Sequence, residues 1–438
     1  MYFFIKSYGC QMNSYDSQRM ADLLTDKGHT AVDEPEKADI VIFNTCSIRE
    51  KADEKLFSDL GRVKTLKDSH NGDFIIVVTG CVAQTRVQDI MKRAPYVDII
   101  LGPQDIQAIA EKIEECVRSE EVLVSTSLGA EDKFHRLTAD FHNRKVSEFL
   151  TIQEGCDNFC TYCVVPYTRG HEFSRNVADI VAEAKKLIAA GVKEIILLGQ
   201  NVNSYKGIDE NGQSRNLSNL LFTLAELDGL KRLRYTTSHP KDINESIGKA
   251  HRDIDILMPF LHLPVQSGSD AILKKMNRKY TAAKYFECID MLREYRPDIA
   301  FSSDFIVGFP GETDEDFQQT LQLVERVKYS QAYSFKYSPR PNTVAAKMDN
   351  QIDERVKAER LSILQDLLNK QQTEFNENCV GKYLHVLLEK PGKHENQLVG
   401  RSEYSQAVSV CANNINIGDI VRVKITEAVS HSLLGTTE

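Results

Sequence analysis

Three times within the first 81 residues an apolar run ends and a cysteine follows. Cys10 comes after Tyr2–Tyr8 and Gly9, Cys46 after Ile40–Asn44 and Thr45, and Cys81 after Ile75–Thr79 and Gly80. The intervals are 36 and 35 residues. Amphipathic stretches separate the runs, Ser17–Lys27 and Asp53–Leu66, and a further apolar run spans Val97–Leu101. Strands alternating with helices build a parallel sheet with crossover helices. Residues 1–118 are therefore expected to form an open parallel α/β sheet. In such a sheet all three cysteines stand at the carboxyl edge, where α/β sheets bind ligands. Neighbouring strands lie about 5 Å apart, so the thiols would converge on one metal site. The competing reading is three buried apolar cysteines at strand ends.

A second set lies closer together in sequence. Cys156, Cys160 and Cys163 follow the pattern C-x-x-x-C-x-x-C. Thiolates so near one another suit one soft metal centre. A 4Fe-4S cluster usually takes four cysteines, so three would leave one iron open to a substrate or cofactor. The alternative is a zinc site completed by a distant ligand such as His171. Ten cysteines without an export signal favour a reducing compartment and thiolate chemistry, and the expected location is cytoplasmic. No run of 18 apolar residues suggests a membrane span.

The remaining chain divides by pattern. Residues 119–141 are polar and irregular, for example Ser119-Glu-Glu and Ala130-Glu-Asp-Lys-Phe134, and read as a linker with one strand at Val122–Ser125. Over 142–375 the strand–helix alternation resumes. Strands are expected at Glu148–Gln153, Glu194–Leu198, Leu233–Thr237, Phe260–Pro264, Ile299–Val307 and Ala332–Tyr337. Helices are expected at Val177–Ala190, Leu217–Leu227, Lys284–Tyr295, Asp314–Lys328 and Glu354–Asn376. Such units suit a partial (β/α) barrel with its chemistry at the carboxyl ends of the strands. From 377 to 438 short alternating runs replace the helices: Tyr383–Leu388, Gln397–Gly400, Ala407–Cys411 and Asp419–Ala428. They imply a small all-β barrel, an architecture that often grips nucleic acid. The net charge of −9 gives no global sign of a nucleic-acid partner, and residues 376–438 hold six Lys or Arg against seven Asp or Glu.

The motifs resemble the radical S-adenosylmethionine methylthiotransferases along nearly the whole chain. The residues carrying the resemblance are Tyr8-Gly-Cys10-Gln-Met-Asn13, Asn44-Thr-Cys46-Ser-Ile-Arg49, Thr79-Gly-Cys81-Val-Ala-Gln84, and Gln153-Glu-Gly-Cys156 through Cys163-Val-Val-Pro-Tyr-Thr-Arg-Gly170. Leu263-Pro-Val-Gln-Ser-Gly-Ser-Asp270 and Asp304-Phe-Ile-Val-Gly-Phe-Pro-Gly-Glu312 add to it. The resemblance implies an N-terminal methylthiotransferase domain, a central radical-SAM partial barrel and a C-terminal TRAM barrel that binds RNA. Cys163 through Gly170, followed by Glu172 and Ser174-Arg175, most resembles the members that methylthiolate carbon 2 of isopentenyladenosine beside the tRNA anticodon. Members acting on threonylcarbamoyladenosine, or on an aspartate of a ribosomal protein, share the scaffold.

By the same resemblance the chain would use two 4Fe-4S clusters and two S-adenosylmethionine molecules. Cys156, Cys160 and Cys163 would hold the cluster that cleaves the cofactor, and Cys10, Cys46 and Cys81 an auxiliary one. The implied partners are a tRNA carrying isopentenyladenosine and an electron donor such as a flavodoxin or ferredoxin, with a monomer expected and no membrane contact. Further cofactor contacts are expected at Tyr162, Gln200, Asn201, Gln266, Ser267, Gly308 and Gly311. The competing roles are packing for Tyr162, loop hydrogen bonding for Gln200, Asn201, Gln266 and Ser267, and a plain βα turn for the two glycines. Tyr337 through Thr343 resembles the family's substrate entrance, with Asn342 where a glycine is commoner; asparagine tolerates a left-handed turn. Arg340 and Arg401 are candidate phosphate contacts. Cys116, Cys288, Cys379 and Cys411 lack partners at ligand spacing and read as structural.

Overall fold

The first apolar runs become one six-stranded parallel sheet in a computed structural model that describes residues 1–46, 50–70, 72–119, 121–129, 133–134, 141–142, 144–411 and 414–437. Ser47–Arg49 of the second cysteine motif and parts of the linker quoted above, including Ala130–Asp132, lie outside the described residues. The strands are β1 (Tyr2–Ser7), β2 (Thr30–Ala31), β3 (Ile40–Thr45), β4 (Ile75–Gly80), β5 (Ile99–Leu101) and β6 (Leu123–Ser125). Their order is β2-β1-β3-β4-β5-β6, all parallel. The β3 and β4 runs are continuously apolar because helices cover both faces. Val41, Phe43, Ile76 and Val78 pack into one core layer, and Ile40, Ile42, Ile75 and Val77 into the other. The β6 strand extends this sheet beyond residue 118, into the stretch expected to be linker.

The central strands begin with β7 (Ser147–Thr151) and the short antiparallel ribbon β8 (Gln153–Glu154) and β9 (Phe173–Ser174). Then come β10 (Glu194–Leu198), the hairpin β11 (Lys206–Ile208) and β12 (Ser214–Asn216), and β13 (Arg232–Thr236). Next are β14 (Phe260–His262), β15 (Ala300–Val307) and β16 (Gln331–Lys336). Two parallel three-stranded sheets, β7-β10-β13 and β14-β15-β16, meet at a single bridge between Leu233 and Leu257. Together they form the expected partial barrel. Alternate residues such as Leu150, Ile195, Leu197, Leu233, Phe301 and Phe305 pack outward against helices that include Ile180, Leu220 and Tyr285. The intervening residues line the concave face. Two helix starts are closed by reciprocal capping boxes, at Asn216 and Thr313.

The last strands, β17 (Tyr383–Pro391), β18 (Gln397–Ser402), β19 (Ala407–Cys411), β20 (Ile420–Val429) and β21 (Ser432–Thr437), close into a barrel in the order β17-β18-β19-β21-β20. The closing strand β21 was absent from the sequence reading. The barrel sits against the central sheet through two arginines of β13. Arg232 donates to the carbonyls of Arg401 (2.8 Å) and His385 (2.7 Å). Arg234 donates to those of Glu403 and Ser402, both at 2.9 Å, while its Nε reaches Glu194 at 2.8 Å.

Candidate functional site

Cys10, Cys46 and Cys81 stand side by side because β1, β3 and β4 are adjacent and in register. Ser7 pairs with Asn44, and Thr45 with Gly80. Two glycines allow the close approach. Gly9 has φ +119°, and a Cβ there would fall 2.1 Å from Cys46 Cβ. Gly80 has φ +92°, and a Cβ there would fall 2.4 Å from the Thr45 carbonyl oxygen. Cys10 caps the helix Gln11–Asp26, and Cys81 opens the helix Cys81–Thr85. A hydrogen bond with Cys46, aided by Arg169 and opposed by burial, brings the Cys10 thiol down to about 6. Burial pushes the Cys81 thiol up, against the positive charge of Arg169. Asn44 locks the edge: its amide donates to the Asn13 carbonyl and to Ser17 Oγ, both at 2.9 Å, and its oxygen accepts from Asn13 at 2.8 Å.

The second triad is built within one loop. Gly155, at φ +77°, turns the chain out of β8, and Gln200 Oε1 accepts its N–H at 2.6 Å. The Cys163 N–H donates to the Cys160 carbonyl at 2.9 Å. Asn277 Nδ2 donates to the carbonyls of Asn158 (3.1 Å) and Phe159 (3.0 Å), where Phe159 takes a left-handed φ of +48°. Burial and then the neighbouring Cys160 push the Cys163 thiol up to about 12. Arg278 Nη1 lies 3.4 Å from Cys160 Sγ. His171, the alternative zinc ligand, is 85% exposed and paired with Asp157 at 2.8 Å.

A buried ionic group ties the triads together. The helix Val165–Arg169 starts two residues after Cys163, and its last residue carries a guanidinium whose charge favours the thiolates of Cys10 and Cys81. Arg169 also pairs with Asp16 at 2.9 Å and with Glu154. Lys133 Nζ pairs with the same two carboxylates, at 2.8 and 2.9 Å. All four side chains are at most 2% exposed. Two cations on two anions leave the group neutral, as burial demands. The linker therefore supplies a fully buried lysine that its polar, irregular composition gave no sign of.

The other predicted contacts fall into three sets. Gln200 and Asn201 brace the cysteine loop: both backbone N–H groups point to Gln153 Oε1 (2.9 and 3.2 Å), and Asn201 Nδ2 donates to Asp242 at 2.7 Å. Asn201 Oδ1 is buried with no partner among the described residues. The Tyr162 ring packs beside Ile272, Met276, Phe309 and Tyr337. Gln266 has φ +73°, and its backbone bridges to β15 through the Asp304 carbonyl and the Ile306 N–H. Ser267 is fully buried among Thr320 and Ser269. Lysine side chains stand beside both glycines. A Cβ on Gly308 would meet Lys357 Cγ at 2.3 Å, and one on Gly311 would meet Lys275 Nζ at 2.7 Å. Asn342 adopts φ +66°, the left-handed turn it was expected to tolerate. Arg401 is bound locally, to the Ser405 carbonyl at 2.9 Å.

The concave face joins these parts. On one wall Phe149 and Ile196 pack with Met12, Tyr15, Leu198 and Cys10. On the other, His262 is 3.0 Å from Ser302 Oγ and 3.5 Å from Asp304, and its ring meets Tyr333 edge-on. Asp304 pairs in register with Tyr333, and Ile306 with Phe335. Tyr333 and Phe335 are 48% and 46% exposed, unlike the aromatic residues of the core. The donor chemistry fits iron–sulfur clusters: each triad offers three sulfurs. Among the described residues no three Cys, His, Asp or Glu side chains stand close enough together for a single metal ion. Nor, among them, is any helix long and apolar enough to cross a membrane.

Comparison with known proteins matches three family descriptions. Residues 2–102 match "Uncharacterized protein family UPF0004", residues 150–324 the radical SAM superfamily and residues 377–437 the TRAM domain. A Bartonella tribocorum protein named tRNA-2-methylthio-N(6)-dimethylallyladenosine synthase is 53% identical over 440 residues, covering 99% of this chain and 95% of its own. Among solved structures, the radical S-adenosylmethionine methyltransferase TsrM from Kitasatospora setae superposes with a TM-score of 0.58 at 14% identity, over 79% of this chain and 77% of its own. The cobalamin-dependent radical enzyme OxsB gives 0.52 at 12% identity, over 84% of this chain and 56% of its own. These two likenesses concern the fold alone. The chain belongs to the radical S-adenosylmethionine methylthiotransferases, in the family of the tRNA-2-methylthio-N(6)-dimethylallyladenosine synthases.

Proposed function

We propose that this protein adds a methylthio group to carbon 2 of N6-dimethylallyl (isopentenyl) adenosine beside the anticodon of tRNA. In this reading it draws on S-adenosylmethionine and on two 4Fe-4S clusters, held by Cys156, Cys160 and Cys163 and by Cys10, Cys46 and Cys81. The observation that carries the reading is the presence of two all-cysteine triads, one at a sheet edge and one in a loop, in a chain that matches a synthase of that name over 99% of its length.

The reaction needs such groups because carbon 2 of adenine bears an unactivated hydrogen that no side-chain base removes at neutral pH. A 4Fe-4S cluster with an open iron supplies, when bound, the one-electron cleavage of S-adenosylmethionine that makes this hydrogen accessible. The chain's own residues do the positioning. Gln200, Asn277 and Arg278 fix the shape of the Cys156–Cys163 loop. Arg169, Lys133, Asp16 and Glu154 fix the distance between that loop and the edge of the first sheet. Tyr333 and Phe335 offer flat apolar surfaces on which an extruded purine stacks, as single-stranded RNA bases do on aromatic side chains. The C-terminal barrel grips the tRNA, the electron comes from a flavodoxin or ferredoxin, and the enzyme works as a cytoplasmic monomer.

The test is iron and acid-labile sulfide content after anaerobic reconstitution, in wild type and in Cys10/Cys46/Cys81→Ala. About eight irons falling to about four is expected, one cluster per triad. Methylthiolation of dimethylallyladenosine-bearing tRNA is then expected from wild type alone. Zinc in place of iron, or four irons unaffected by the substitutions, would overturn the two-cluster reading. Turnover of threonylcarbamoyladenosine tRNA or of a ribosomal protein instead would overturn the substrate.

A further inference from the structure

Of the seven buried arginines among the described residues, five pair with a carboxylate: Arg19 with Asp22, Arg169 with Asp16, Arg175 with Glu183, Arg234 with Glu194 and Arg360 with Glu312. Arg232 has none at ion-pair distance but lies in the field of Glu194. Arg278 is the other exception. It is 5% exposed, and each of its hydrogen bonds goes to a formally neutral group or to sulfur. Nε donates to Tyr280 Oη at 2.9 Å, Nη2 to the Pro264 carbonyl at 2.9 Å, and Nη1 to Cys160 Sγ at 3.4 Å and Tyr162 Oη at 3.5 Å. Tyr280 in turn donates to the Val265 carbonyl at 2.8 Å, so its hydroxyl remains neutral. Burying a cation without an anion is costly. Among the described residues, the groups within its reach that can carry negative charge and are meant to carry it in the working enzyme are the cysteine sulfurs.

We propose that Arg278 sets the reduction potential of the iron–sulfur site at Cys156, Cys160 and Cys163, by hydrogen-bonding the Cys160 sulfur and placing an uncompensated positive charge beside it. The inference rests on the reading that these cysteines hold a cluster. Hydrogen bonds to cluster sulfurs and net local charge are the protein's main controls on cluster potential. The sign follows from charge. Reduction adds an electron, a nearby cation stabilises the more negative state, and the potential rises. Arg278 is thus a positioning and tuning residue that acts through Cys160.

The test uses the full-length chain with Cys10/Cys46/Cys81→Ala, so that one cluster gives the signal. Its midpoint potential is measured by following the electron paramagnetic resonance signal of samples poised over a range of potentials without S-adenosylmethionine. With Arg278→Gln, the iron content is expected to stay at about four per chain while the midpoint moves to more negative potential. Arg278→Lys, which keeps the charge but shortens the reach, is expected to move it in the same direction by less. An Arg278→Gln protein with full iron and an unchanged midpoint overturns the proposal. Should that variant lose its iron, an unchanged midpoint in Arg278→Lys overturns it equally. Absence of iron in the background protein with Arg278 intact means instead that the cluster reading itself has failed.

Discussion

Cys10, Cys46 and Cys81 come from three strand ends 36 and 35 residues apart, whereas Cys156, Cys160 and Cys163 lie on one loop. The first triad takes its spacing from the register of a parallel sheet whose central strands β3 and β4 are buried throughout. The second takes its shape from side chains that reach in from elsewhere: Gln200, Asn277 and Arg278. Their charge environments differ as well. Arg169 serves the first triad from within a balanced group of two acids and two bases, while Arg278 serves the second with no acid partner. A sheet edge makes a rigid mount whose charges cancel, and a braced loop makes an adjustable one whose charge is left for its ligand.

The sharpest way to break this comparison is to remove each arginine in turn. Arg169→Met leaves Asp16 and Glu154 buried against Lys133 alone, and a loss of about 3–5 kcal/mol is expected. Arg278→Met strands no carboxylate and is expected to cost about 1–3 kcal/mol, the penalty of unpaired neutral groups. Urea denaturation followed by circular dichroism measures both, since the chain contains no tryptophan. Equal losses would mean that the difference in charge balance is not real.

Glycine substitutions separate the mounts. Gly9→Ala forces a Cβ into Cys46 and an unfavourable φ of +119° on alanine, at a cost of about 1–3 kcal/mol. It is expected to deplete the first site of iron and spare the second. Gly155→Ala, whose Cβ would fall 1.9 Å from the His171 carbonyl oxygen, is expected to do the reverse. Both are read as iron per chain after reconstitution, each variant in Cys156/Cys160/Cys163→Ala and again in Cys10/Cys46/Cys81→Ala. A loss of both sites from either change would show the mounts to be one unit.

Phe335→Ala leaves both triads intact and removes one stacking surface. A base on an aromatic ring contributes about 1–3 kcal/mol, so KM for tRNA is expected to rise roughly tenfold with iron content unchanged. The smallest effect is expected in acid. Burial alone would raise the Asp16 carboxyl, but Lys133 and Arg169 bring it below its ordinary value. Its folded pKa is depressed, so its contribution is present above the unfolded value of about 3.9 and is lost as pH falls through the folded one. Asp16→Asn is expected to flatten the stability–pH curve in that window. Arg278, without a carboxylate partner, adds no such slope.

Much of this was legible in the sequence, for a physical reason. The central strands of the first sheet, β3 and β4, are apolar because they are buried on both faces, and Cys46 and Cys81 mark their ends. Glu194–Leu198 and Ala407–Cys411 were read to the residue. The charged partners were not legible. Lys133 meets Asp16 across 117 positions and Arg169 meets Asp16 across 153, distances at which no periodicity survives. Arg278 sits just after a short helix and reads like any surface cation. Gly308 and Gly311 fit a ligand approach or a plain βα turn equally well in sequence, because a glycine in a turn does not say what lies beside it; in the fold Lys357 and Lys275 stand next to them.

The mode of attachment of the C-terminal barrel has its own consequence. Arg232 and Arg234 grasp it by four main-chain oxygens, those of His385, Arg401, Ser402 and Glu403. Every residue type presents the same oxygen, so the joint places little demand on the identity of those four positions. Mutational drift on the barrel's outer surface is thereby decoupled from its attachment. Such a module can change what it grips over evolutionary time, or be exchanged between relatives, while the two arginines that hold it stay as they are.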